Sequence, residues 1–186
     1  MKSSKLSRRG VLRAFAVTAL SAAPVYSNAA GVLRGAGDVR RISMRNQRTA
    51  ESINIIYWIE GHYIDESLAE INNFMRDWRK NEVIEYDRRN VDIIAATHRL
   101  METDEPYLLL SGYRSRATNA MLASRSRGVA SNSYHIRGMA ADLRLSSRSM
   151  SQMAAAATAV DAGGVGKYSR SNFVHMDSGP VRTWRG

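Results

Sequence analysis

The stretch "SNSYHIRGMAADLRL", residues 131–145, places a histidine and an aspartate seven positions apart around a single glycine, and "FVHMD", residues 173–177, follows with another histidine–carboxylate pair. The first stretch reads as a loop ending at His135, a turn at Gly138, and a strand carrying Asp142. The second reads as a strand with His175 in an apolar frame of Phe173, Val174 and Met176. Side chains two apart on a strand share a face. His175 and Asp177 therefore point the same way, and if the two strands are neighbours, all four polar groups face one cleft.

These residue types suit a hydrolytic metal site, which needs three His, Asp or Glu ligands and an open position for water. There the metal lowers the pKa of a water to about 7, polarises a carbonyl, and leaves a nearby group to take the proton. Spacing alone leaves a second possibility open: a loop histidine at 135, a turn-capping Asp142 and a hydrogen-bonded core histidine at 175. The chain has no cysteine, which excludes disulfides, thiol nucleophiles and zinc–thiolate sites, and it has four histidines in all. His62 follows a turn and His98 lies beside Arg99 on a helical stretch, so both read as surface residues.

With 186 residues the chain accommodates one domain. Residues 1–29 read as a separate segment. They are basic at the start, carry the pair Arg8-Arg9 after Ser7, and continue into a short apolar run and small residues. That is the layout of a twin-arginine export signal, with cleavage expected after Ala29. No later run is apolar for long enough to span a bilayer, so no membrane span is expected in the mature protein. Its location would be the periplasm or cell envelope. Removing Lys2, Lys5, Arg8, Arg9 and Arg13 leaves 22 basic against 17 acidic residues, a net charge of +5 in place of +10. No nucleic-acid partner is expected at that modest charge.

Residues 30–50, rich in glycine and arginine, read as a linker or N-terminal arm, and residues 51–186 as the domain. "SINIIYWIEGHYI" predicts a strand, a turn at Glu60-Gly61 and a second extended piece. "DESLAEINNFMRDWR" predicts a helix with Asp65 as N-cap and Leu68, Ile71, Met75 and Trp78 inward, and "NVDIIAATHRLM" a second helix. "YLLLSGYRS" is a buried strand delivering Tyr113 and Arg114 at its exit. A helix through "TNAMLAS" comes next, and later an alanine-rich helix stopped by Gly163-Gly164. "VGKYS" and "NFVHMDSG" are the last two strands, and "PVRTW" closes the chain. The expectation is an α+β domain with a small antiparallel sheet flanked by helices.

"SYHIRGMAADL" fits the S-x-H-x-x-G-x-A-x-D pattern of the zinc metallopeptidase superfamily that includes D-Ala-D-Ala dipeptidases, D,D-carboxypeptidases and penicillin-insensitive murein endopeptidases, through Ser133, His135, Gly138, Ala140 and Asp142. Together with "GHYIDESLAEINNFMRDWR", "LLSGYRSRATNAML" and "AGGVGKYSRSNFVHMDSGPVRTW", it resembles the exported MepK-like murein endopeptidases over roughly residues 50–186. The resemblance implies the hedgehog/D-Ala-D-Ala-peptidase-like fold and one zinc ion held by His135, Asp142 and His175. It also implies a zinc-bound water that attacks peptide bonds of peptidoglycan cross-links or stem peptides, as a D,D- or L,D-endopeptidase or a carboxypeptidase. Arg114 matches an arginine that stabilises the oxyanion or binds substrate. Ser133 and Tyr113 are candidate substrate contacts. One departure stands out: relatives with Glu-x-x-His place a general base three residues before the last ligand, and here that position is Asn172. Asp177 is then expected either to activate the water or to orient His175. The departure also keeps open a non-catalytic peptidoglycan-binding protein on the same fold. The protein is expected to be a monomer whose partners are peptidoglycan peptides.

Overall fold

The computed structural model describes residues 38–186 except Arg127, so the expected export signal and its cleavage point lie outside the described residues. The alternation in "SINIIYWI" forms β2 (Ser52–Ile59), which turns into the two-residue β3 (His62–Tyr63). β2 also pairs antiparallel with β1 (Val39–Asn46), a strand inside the segment expected to be a linker.

That expectation fails because the buried row of β1 is Arg40, Ile42, Met44 and Asn46, half of it polar. Arg40 donates to Asp92 at 2.8 Å and its guanidinium lies 4.0 Å from the centre of the Trp58 ring. Asn46 accepts from the backbone N–H groups of Arg48 and Thr49. Hydrogen bonding makes these polar residues tolerable inside, and it hides the strand's period from a reading by hydrophobicity.

Four helices follow in chain order. α1 (Asp65–Phe74) has Ile64 as its N-cap, and Asp65 occupies the first turn, where its charge suits the helix dipole. It stops at Phe74, short of Trp78, which lies half-buried under the Arg79 guanidinium. The early stop delivers buried Asp77 to the backbone N–H groups of Arg79 and Ser115. α2 (Arg88–Leu100) is capped by Asp87 and α3 (Arg116–Arg125) by Ser115. α4 (Met150–Ala159) begins in a Ser149–Gln152 capping box and ends at Val160. The Gly163-Gly164 pair does not terminate α4; Gly164 opens β6.

The remaining strands are β4 (Tyr107–Ser111), β5 (Ala140–Arg144), β6 (Gly164–Tyr168), β7 (Phe173–Asp177) and β8 (Arg182–Arg185). They complete one sheet of eight strands in the order β3-β2-β1-β4-β5-β7-β6-β8. The sheet is larger than expected and mixed, because β1 runs parallel to β4 and β6 parallel to β8. The helices are interleaved with the strands along the chain and not gathered at its start.

One face of the sheet presents Ile42, Met44, Leu109, Ala141, Leu143, Val174 and Met176 to Ile71 of α1, Val91 and Ile94 of α2, and Met153 and Ala157 of α4. Each of these Val, Leu, Ile and Met side chains contributes ~1.5–3 kcal/mol by leaving water. The opposite face of β5 and β7 carries Asp142, His175 and Asp177. Apolar residues facing the helices thus leave the alternate positions of the same strands for chemistry.

Candidate metal centre

Strand pairing places Asp142 directly opposite His175, with Ser111 beside Asp142 on β4 and Gly166 beside His175 on β6. Trp184 on β8 extends the row beyond Gly166. His135 reaches the same spot from a one-turn 3₁₀ helix, Tyr134–Arg137, capped by the Ser133 hydroxyl and ended by Gly138 at φ 65°. That left-handed conformation favours glycine, and it turns the chain from His135 into β5.

His135 Nε2, His175 Nδ1 and Asp142 Oδ1 converge. The two nitrogens are 3.3 Å apart and lie 3.2 and 2.9 Å respectively from the carboxylate oxygen. Each imidazole is fixed from behind. His135 Nδ1–H donates to the Gly112 carbonyl at 2.7 Å, and His175 Nε2–H donates to Asp177 Oδ2 at 3.0 Å. A carbonyl and a carboxylate can only accept, so both neutral rings turn lone pairs toward Asp142. With both rings neutral, three buried acceptors face one another with no proton to share, an arrangement relieved by a cation, whether a proton on His175 or a metal ion. Ligands bonded at ~2.0–2.1 Å in a tetrahedron stand ~3.3 Å apart, which the observed separations match within a few tenths of an ångström. The residues fit a zinc ion, and among the described residues this is the one cluster of three such side chains able to hold a metal.

The electrostatics agree. Burial pushes His135 down to about 4, so it stays neutral. Burial also works against a charge on His175, but Asp142 and Asp177 outweigh it and push that group up, so the pocket favours positive charge. Burial alone would raise Asp142; hydrogen bonds and charges from His135, His175 and Arg114 hold it well below the ordinary carboxylate range. Arg114 donates through Nη2 to Asp142 Oδ2 at 2.5 Å and through Nε to Ser111 at 2.7 Å.

Asp177 is fully buried. Besides His175 it accepts from Gly179 N and Gly164 N, at 2.9 and 3.3 Å, and from both terminal nitrogens of Arg182, at 2.9 and 2.7 Å. These donors overcome burial and hold its carboxyl well below the usual range.

Of the other expected site residues, Ser133 lines the cleft but its hydroxyl serves as a helix cap. Tyr113 is not among the cleft-lining residues. It donates to Glu82 at 2.5 Å, and burial together with that carboxylate pushes it up to about 12. His62 is exposed in β3, whereas His98 is half-buried and bonded to the Glu105 carbonyl, less open to solvent than expected. Among the cleft residues that escaped the sequence reading are Arg182 and Trp184. The signal for them was a pair of glycines, Gly164 and Gly166, opposite an Arg-x-Trp step on a neighbouring strand. A Cβ at Gly166 would sit 2.5 Å from the Trp184 ring, and one at Gly164 would sit 2.2 Å from Arg182 Nη1. The cleft of about 230 Å³ is further lined by Tyr134, Tyr168 and Phe173.

Comparison with known proteins identifies the family. The family described as peptidoglycan L,D-endopeptidase MepK, within peptidase family M15, matches residues 34–184. The peptidoglycan L,D-endopeptidase MepK of Escherichia coli K12 is 43% identical over 145 residues, covering 78% of this chain and 80% of the relative. The probable peptidoglycan L,D-endopeptidase MepK of Haemophilus influenzae is 36% identical over 148 residues, covering 79% of this chain and 80% of the relative. With a match that spans most of its length and includes every element around the His135–Asp142–His175 cluster, the chain belongs to the MepK family of M15 peptidases.

Proposed function

We propose that this protein is an exported, zinc-dependent murein endopeptidase that hydrolyses L,D peptide bonds in peptidoglycan cross-links. The observation that carries the reading is the trio of buried lone pairs, each aimed by a partner behind it, that faces an open cleft. The specificity for L,D bonds rests on the relatives' names, and the envelope location on the signal-like residues 1–29.

A zinc ion held by His135, Asp142 and His175 supplies, when bound, a polarised scissile carbonyl and a water acidified to a pKa of about 7. The chain's own residues do the rest. The Gly112 carbonyl and Asp177 lock the two imidazoles in the ligating tautomer. Arg114, beside the cluster and unable to lose its charge, stabilises the negative charge that develops on the carbonyl oxygen. Tyr134, Phe173 and Trp184 wall the cleft and narrow its access to bulk water.

Five hydrogen bonds to Asp177 support an orienting role for it over a proton-accepting one, because a carboxylate so engaged has no lone pair turned to the cleft. The same crowding leaves no unengaged carboxylate among the described cleft residues, which, with Asn172 in place of a glutamate, favours the non-catalytic reading. Incubating the purified protein with sacculi tests both. Release of muropeptides that stops with EDTA, returns with zinc and is absent in His135→Ala is the expected result. Metal-independent release would overturn the mechanism, and binding to sacculi without release would establish the binding protein.

A further inference from the structure

The wall of the site opposite Arg114 is built by the C-terminal strand β8, and Arg182 on it does more than line the cleft. Its guanidinium meets the Asp177 carboxylate two-to-two: Nη1 on Oδ1 at 2.9 Å and Nη2 on Oδ2 at 2.7 Å. Nη1 also donates to the Pro180 carbonyl at 2.9 Å. The plane is held between aromatic rings, 5.1 Å from the centre of Tyr134 and 4.8 Å from that of Trp184. Trp184 in turn lies 5.3 Å from the His175 ring and donates its Nε1–H to the Tyr168 hydroxyl at 3.0 Å. Gly164 and Gly166 leave the space in which both β8 side chains lie flat.

Without Arg182, Oδ1 would keep the Gly179 and Gly164 N–H groups but Oδ2 would hold only the imidazole N–H; the fork adds a second donor to Oδ2 and fixes both oxygens in one plane. We propose that Arg182 is a positioning residue: by clamping Asp177 it sets the direction in which the His175 Nε2–H is held, and so the direction in which His175 Nδ1 is offered to the metal. Trp184 packs beside the same ring, 5.3 Å between centres. The inference rests on the proposed metal site and adds to it a residue that touches neither metal nor substrate.

Zinc affinity, measured by competition with a chromophoric chelator, is the primary readout, taken on wild type, Arg182→Gln, Arg182→Lys, Asp177→Asn and the Asp177→Asn/Arg182→Gln double variant. Loss of a partner that orients a metal ligand weakens binding by ~10–100-fold. Arg182→Gln is expected to fall in that range. Arg182→Lys, which keeps the charge but not the fork, is expected to recover only part of the affinity. Because Arg182 acts through Asp177, the double variant should bind zinc no more weakly than Asp177→Asn. Turnover of cross-linked muropeptide should lose kcat with KM nearly unchanged.

Wild-type zinc affinity in Arg182→Gln, or a raised KM with unaltered affinity, would overturn the proposal and make Arg182 a substrate contact. Losses that multiply in the double variant would also overturn it. If Arg182→Gln fails to fold by circular dichroism, Arg182→Lys decides by the same criteria. A wild-type protein that binds no zinc would instead bring down the metal site itself, so the two failures are distinguishable.

Discussion

Replacing Asp177 by asparagine conserves volume and exchanges one carboxylate oxygen for an NH₂, so its consequences are electrostatic. The carboxylate accepts from His175, Gly179, Gly164 and both terminal nitrogens of Arg182. Asparagine can offer its oxygen at only one of the two positions. With the oxygen at Oδ2, Arg182 Nη1 and two backbone N–H groups face the NH₂; with it at Oδ1, the imidazole and Nη2 do. The second arrangement orphans fewer donors. One of these, on His175, is nearly buried, while the Arg182 side chain is 38% exposed and can turn to water. An orphaned buried donor costs ~1–3 kcal/mol, and an ion pair this open to solvent adds no more than ~1 kcal/mol. A total of ~1–4 kcal/mol lowers the melting temperature of a domain this size by roughly 2–15 °C without unfolding it.

Zinc affinity should fall ~10–100-fold in the same variant, and excess zinc should restore much of the turnover, because an ion forced into place still meets both imidazoles. The assay is turnover of cross-linked muropeptide across a zinc titration, with thermal melts of the metal-free and loaded protein alongside. An Asp177→Asn protein that binds zinc as wild type does, yet stays inactive at every zinc concentration, would refute the orienting role and assign proton transfer to Asp177.

Asp92 is the shared acceptor of Arg40, Tyr57 and Tyr63, at 2.8, 2.9 and 2.6 Å, and lies on α2 away from the cleft. Asp92→Asn should destabilise by ~3–5 kcal/mol, read from urea midpoints, with turnover per folded molecule unchanged; a shift under ~1 kcal/mol would contradict the burial described. In Gly166→Ala the new Cβ must displace the Trp184 ring, at ~1–3 kcal/mol. A red-shifted tryptophan emission and weaker zinc binding are expected, and an unchanged spectrum would count against the packing.

Glu105 concerns pH. Burial alone would raise it, but hydrogen bonds from Ser147 and Ser146 outweigh that and push it down to about 2. A lowered carboxyl stabilises the fold above its unfolded value of ~4.3 and loses that contribution as pH falls toward 2. Solvent screening keeps the effect small, below ~1 kcal/mol. Glu105→Gln should therefore flatten the acid limb of stability between about pH 4.5 and pH 2, and an unchanged slope would show that the carboxylate is not held this way.

Much of the site was legible in one dimension because strand alternation is a local rule. His175 and Asp177 share a face of β7 as the spacing requires, and Gly138 takes the left-handed turn expected between His135 and Asp142. β1 was not legible, since its inward Arg40 and Asn46 look like surface residues until Asp92 and the Arg48–Thr49 turn supply their partners. The glycine pair at 163–164 resembled a helix stop, whereas Gly164 and Gly166 are small because Arg182 and Trp184 lie across them from β8, a long-range contact whose sequence trace, Gly-x-Gly against Arg-x-Trp, has meaning only once the two strands are known to pair. Tyr113 is adjacent in sequence to Arg114, yet at the exit of β4 consecutive side chains diverge, and its hydroxyl meets Glu82 while Arg114 meets Asp142.

Residue chemistry and spacing by themselves narrowed the candidate ligands to histidines and carboxylates, excluded thiol chemistry and carried the family pattern, because those depend on which atoms exist and on periods of two and seven along the chain. Tertiary structure alone decided that Asp177 is saturated, that Arg182 clamps it, and that three lone pairs end within 3.3 Å of one another. Those outcomes depend on strand order and register, which bring β5, β7, β6 and β8 side by side, and distances across a sheet are set by pairing that no single segment encodes.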